Sequence, residues 1–146
     1  MVGVGFRCWL AGCDTADIEC WETGWNYLER ELGHARAKPV AAELTVWVRT
    51  ICAETCRKLE YYPMGSTGFC QDERTAISLI AACQHNACPA LKACAFVLIG
   101  ADDVDNVIEA SESFAKVLRD VNVNLKQGSI LNATALIDKN ACPVAH

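Results

Sequence analysis

Apolar residues recur along this chain at helical spacing, and nowhere do they alternate as a half-buried strand requires. In the clearest stretch, Ile18, Trp21, Trp25, Leu28 and Leu32 fall at i, i+3, i+7, i+10 and i+14, one stripe on a 3.6-residue period. Asp14 and Thr15 are placed to cap its start and Gly33 to end it. A second helix is expected to open at Lys38-Pro39, because proline suits the first helical position. Val40, Leu44, Trp47, Val48, Ile51, Cys52 and Leu59 form its inner face, with Glu54 and Lys58 as an outer i, i+4 pair.

Residues 61–70 (YYPMGSTGFC) read as a loop, punctuated by Pro63, Gly65 and Gly68. Asp72 caps a third helix running to Cys83, with Ile77, Leu79 and Ile80 inward. Asn86 and Pro89 mark a break, and an almost wholly apolar helix follows to Ile99, where Gly100 stops it. Asp102 and Asp103 start a last helix carrying Val104, Ile108, Phe114, Val117, Leu118 and Val121, with Gly128 as its end. The expectation is all-α: a single-domain bundle of four or five main helices with short connections, spanning 1–146. Residues 1–13 and 129–146 read as irregular or packed tails, with only 130–137 of the latter apolar enough to pack.

A chain of 146 residues buries roughly 68–70% of its unfolded surface, so it needs no disulfide or metal merely to hold a core. Its net charge of −5 argues against a nucleic-acid partner, which phosphate would recruit through surplus Lys and Arg. The longest apolar runs fall short of the roughly 18 residues of a membrane span, and the first residues lack the apolar core of a signal peptide. A cytoplasmic protein is expected, or a secreted one if Met1 and its neighbours replace a removed signal peptide.

Ten cysteines, at positions 8, 13, 20, 52, 56, 70, 83, 88, 94 and 142, are the unusual feature of the composition. Inert core thiols, a metal site, structural disulfides and redox chemistry all compete for them. The densest cluster is Cys83-Gln84-His85-Asn86-Ala87-Cys88, followed by Cys94. Thiolate and imidazole are the ligands zinc takes in tetrahedral sites, and a turn between helices would let Cys83, His85 and Cys88 converge. Cys94 fits less well: six residues on at about 100° each, it points away from Cys88. Cys70 or Cys142 is the substitute fourth ligand.

Two further readings use the thiols differently. Cys52 and Cys56 share one helical face at i, i+4, where a bond between them is strained, so each would pair elsewhere. Cys88, if it caps a helix beginning at Pro89, gains thiolate character from the helix dipole. A redox protein using Cys88 with Cys52 or Cys56 is therefore the alternative to a non-enzymatic, metal-binding protein. A secreted, disulfide-stabilised interaction protein is the third reading. Other motifs dissolve on inspection. Glu31-Leu32-Gly33-His34 is half of a di-iron E-x-x-H pair without its partner, and C-x-H-x2-C lacks the second ligand box of a Rieske centre.

The all-round apolar helix at 87–99 must be covered on every side, centrally in one chain or by a second copy. With Trp9, Trp21, Trp25 and Trp47 also seeking cover, a homodimer or higher homo-oligomer is the expected partner arrangement.

Overall fold

The computed structural model describes residues 1–130 and contains, among them, six α-helices and no strand. These are α1 (Val2–Thr15), α2 (Ile18–Leu32), α3 (His34–Glu54), α4 (Gln71–Gln84), α5 (Cys88–Ile99) and α6 (Asp105–Asp120), followed by a 3-10 turn at Gln127–Ser129. The packing expected of 131–137, and Cys142 as a ligand, lie outside the described residues.

The count exceeds four or five because 1–13, read as an irregular or packed tail, is a packed helix. Three glycines lower the helix propensity of α1, and its apolar residues run all round instead of forming a stripe. Tertiary contact decides the matter. A Cβ on Gly12 would lie 2.5 Å from the Trp21 indole, and one on Gly24 would lie 2.4 Å from the Trp9 ring. Each of α1 and α2 thus offers a glycine to the other's tryptophan, and the two helices interlock. Trp9 is further fixed by donating from Nε1 to Thr45 Oγ1 at 2.8 Å.

Asp14 and Thr15 belong to α1, so neither caps α2; Asp17 does, accepting from the Glu19 amide at 3.0 Å. Gly33 ends α2 at φ 80° as expected, but α3 begins at once instead of at Pro39. The proline sits in its second turn and removes one backbone bond. Arg36 ties this junction down, donating from Nε to the Leu32 carbonyl at 2.9 Å. α3 ends at Glu54, so Leu59 is buried from a non-helical segment and Glu54 pairs with Asn106 at 2.8 Å, not with Lys58.

Trp47 lies at the centre of the core. Its ring centroid is 5.4 Å from Phe6 on α1 and 5.0 Å from Phe114 on α6, and Nε1 donates to Ser111 Oγ at 2.9 Å. α5 is covered by the chain itself: Leu91, Cys94, Ala95, Val97, Leu98 and Ile99 are buried, and Phe96 alone of its large apolar residues is exposed. That helix therefore gives no reason for a second copy. α6 stops at Asp120, eight residues before Gly128, where Asn122 takes a positive φ of 64°. No helix among the described residues is long and apolar enough to cross a membrane.

Between α3 and α4 a strap of residues 55–70 runs without regular structure beyond turns. Two adjacent acids on α4 hold it. Glu73 accepts from Arg7 Nε at 2.6 Å and from the amides of Cys70 and Tyr62 at 3.0 and 3.1 Å. Arg7 in turn donates to the strap carbonyls of Ser66 and Gly68 at 3.1 and 2.7 Å. One residue earlier, Asp72 pairs with Arg57 and accepts the Glu60 amide at 2.7 Å. Cys70, not Asp72, is the N-cap, closing a capping box with Glu73.

Candidate functional site

The residues of the 83–94 turn do not converge. Cys83 is buried on α4, where burial first, then the Glu112 carboxylate, push its thiol up to about 12. Cys94 is fully buried on α5 with its sulfur 3.3 Å from Ser78 Oγ, and burial raises its thiol as well. His85 is exposed and lies with Nε2 2.7 Å from the Leu125 carbonyl, an acceptor that assigns the proton to Nε2. Cys88 is exposed as the first residue of α5, with Ala87 as the cap, so Pro89 is the second helical residue. The side chain of Gln84 holds the non-helical run 123–125 beside the turn by bonds to Val123 O and the Leu125 amide at 2.9 and 2.7 Å. Among the described residues, no three His, Cys, Asp or Glu side chains are grouped to hold a metal ion.

Nor does Cys88 meet Cys56, one of its two expected redox partners. The Cys56 amide donates to the carbonyl of Ile99, at the far end of α5. Cys88 starts that helix, so about 16 Å of helix rise separates the two ends. A disulfide needs Cα atoms within about 7 Å.

Cys52 has a different neighbour, and the helix register explains why. α1 and α3 run side by side in the same direction. Gly5 lies against Leu44, where an added Cβ would be 3.0 Å from Cδ2, and the rings of Phe6 and Trp47 meet further along both helices at 5.4 Å. Eight residues beyond Gly5 is Cys13, and eight beyond Leu44 is Cys52. Equal steps along two packed parallel helices bring both residues to the wall of one cavity. Burial, then the Cys13 thiol and the Asp14 carboxylate, push Cys52 up to about 11.

Both thiols line a cavity of about 270 Å³, together with Leu10 and Asp14 of α1 and Thr55, Arg57, Lys58, Leu59 and Tyr61 of the strap. Cys52 is half-buried, and Cys13 is exposed at the mouth. Tyr61 donates its hydroxyl to Asp14 at 2.7 Å, and that bond, with burial, pushes the phenol up to about 12. A neighbouring cavity of about 440 Å³ shares Asp14, Lys58 and Tyr61 and adds Cys70, whose sulfur is 3.4 Å from the Glu60 carbonyl. A trough of about 600 Å³ between α3 and α6 is lined by neither cysteine nor histidine. Its Glu54 and Glu43 are met by Asn106 and Ser113.

The nine cysteines among the described residues are free thiols. Sequence reasoning singled out Cys52 but missed Cys13, Asp14 and Tyr61 as its surroundings. Residues 1–13 carried no amphipathic stripe to mark them as helix, and without α1 there is no register to count. Glu31 and His34 sit at a solvated helix end, as their isolation implied: His34 Nδ1 lies 3.3 Å from Glu29, both exposed. Comparison with protein-family models, curated proteins and solved structures gave no match, so the site is read from its side chains alone.

Proposed function

We propose that this is a thiol-based protein that works through Cys13 and Cys52, cycling between dithiol and disulfide. The observation that carries this reading is their meeting in one solvent-reached cavity. Cys13, the exposed thiol, attacks a small-molecule disulfide as its thiolate, forming a mixed disulfide and expelling one small thiol. Cys52 then loses its proton to solvent and attacks the Cys13 sulfur, which closes the protein disulfide and expels the second small thiol. Two protein thiols are oxidised and one external disulfide is reduced. The difference in exposure supports this order, because Cys13 is exposed and Cys52 half-buried.

The test is titration of the reduced chain with cystamine. The reading expects wild type to release two thiols per cystamine consumed at this pair, and Cys52→Ser to stop at a mixed disulfide on Cys13. Mixed disulfide on Cys13 that never resolves in wild type would contradict it.

A second reading, self-association, is favoured by one surface. Ile18 is 65% exposed, and Trp21 and Trp25, though packed against the core on one side, stay half-exposed and line a cleft with Glu22 and Asn26, so the first half of the α2 stripe is only partly covered. We infer that a second copy covers it, and Ile18→Asp then lowers the sedimenting mass. A mass near 16 kDa for wild type across a micromolar dilution series contradicts this.

A further inference from the structure

We propose that the reduced Cys13–Cys52 pair is a two-coordinate site for a thiophilic monovalent metal ion of the Cu(I) class. The inference rests on the reading that these two thiols are the working pair, and it names a ligand they hold when reduced.

Ligand type and number select the ion. Thiolate sulfur prefers soft cations, which sets aside calcium and magnesium with their six to eight and six oxygens. Zinc asks for four ligands in a closed tetrahedron. Here the charged side chains that line the cavity beside the two sulfurs are Asp14, bonded by Tyr61, and the cations Arg57, which is paired with Asp72, and Lys58. No third His, Cys, Asp or Glu among the described residues groups with the pair in metal-holding geometry. A d¹⁰ monovalent ion is satisfied by two thiolates in line, and two sulfurs from facing helices can take up that arrangement.

Access and charge fit as well. Cys13 stands exposed at the mouth and Cys52 half-buried behind it, so an ion arrives at the outer sulfur and is drawn to the inner one. Binding releases two thiol protons to solvent and leaves every oxidation state unchanged. The resulting complex, two thiolates and one monovalent cation, carries a single negative charge. Lys58 lines the same cavity and forms no salt bridge among the described residues, so its ammonium is available to face that charge. The 83–94 turn lacks these properties: Cys83 and Cys94 are both buried, and Cys88 is its one exposed thiol.

The experiment is an anaerobic competition in which the reduced full chain withdraws Cu(I) from its bicinchoninate complex. The account expects wild type to withdraw a first equivalent. It expects Cys13→Ser and Cys52→Ser each to weaken that equivalent more than about 100-fold, beyond the 10–100-fold that outer partners of a metal supply. Cys56→Ser and Cys88→Ser leave it in place, which separates this pair from exposed thiols elsewhere. Circular dichroism identical to wild type shows that the serine variants are folded. Copper-edge X-ray absorption on the one-equivalent complex counts two sulfurs. No withdrawal by wild type, an equivalent indifferent to both Cys13→Ser and Cys52→Ser, or a count of three or four sulfurs overturns the proposal. A chain that forms the Cys13–Cys52 disulfide but leaves copper on the chelator loses this inference alone; a chain that does neither loses the redox reading too.

Discussion

The 83–94 turn and the α1–α3 junction hold the same functional groups in opposite arrangements. At the turn, cysteines and a histidine are crowded in sequence, yet no three of them are grouped to hold a metal ion: Cys83 and Cys94 are buried, Cys88 is exposed, and His85 is engaged by the Leu125 carbonyl. At the junction, two cysteines 39 positions apart share a cavity because their helices keep step. Helices turn side chains by about 100° per residue, so closeness along a helix disperses groups as readily as it gathers them. Convergence comes from pairs of elements in register.

The largest effect expected concerns the clamp that holds the strap over the junction. Glu73→Gln leaves the buried Arg7 guanidinium without its counter-charge, and breaking a buried pair from one side costs about 3–5 kcal/mol. Chemical denaturation should show that loss. Mass-resolved alkylation of the native variant should show Cys52 labelled faster, while Cys83 and Cys94 stay protected as in wild type. Equal acceleration at all three would dissolve the contrast between the two regions.

The interlock of α1 and α2 comes next. Gly24→Ala drives a methyl into the Trp9 ring, which its bond to Thr45 prevents from yielding. Overpacking of this kind costs about 1–3 kcal/mol, measurable as a lower denaturation midpoint. Because Trp9 lies one turn before Cys13, the same variant should oxidise at Cys13–Cys52 more slowly. An unchanged midpoint would show that α1 is not held as described.

The helices that were legible in sequence were those that bury one face. α2 and α6 carry clear stripes, and α4 and α5 were bounded by Asn86, Pro89 and Gly100. α1 was not, since its small and apolar residues are packed on several sides and leave no polar face to reveal a period. The strap was recognised as a loop over 61–70 by its Pro and Gly, but its start at 55 was hidden by Leu59, whose burial imitates one more helical turn. Asp72 reads as a helix cap and Glu73 carries no signal of its own; their cationic partners, Arg57 and Arg7, stand 15 and 66 positions away and leave no local mark. The site shared that fate: half of it lay on α1.

Acid should discriminate the two regions in the same direction. Burial alone would raise Glu73, but Arg7 and the amides of Cys70 and Tyr62 outweigh it and hold the carboxyl below its ordinary value of 4.5. The unfolded chain then binds more protons, so this contribution is complete above that value and is lost as pH falls through the lower folded one. Stability followed by denaturant midpoint should decline below about pH 4.5 in wild type and decline less in Glu73→Gln. Identical acid profiles would remove the clamp's role.

The smallest effect expected is at the turn. His85→Ala forfeits one exposed hydrogen bond to Leu125, about 0.5–1.5 kcal/mol by denaturation, and leaves thiol oxidation unchanged.

The pairing of Cys13 with Cys52 is tested most directly by peptide mapping of the chain oxidised by limiting cystamine and digested without reduction. The account predicts that the first disulfide to form joins the peptides carrying Cys13 and Cys52. A first disulfide that joins any other pair, Cys83 or Cys88 with Cys94 above all, would contradict it.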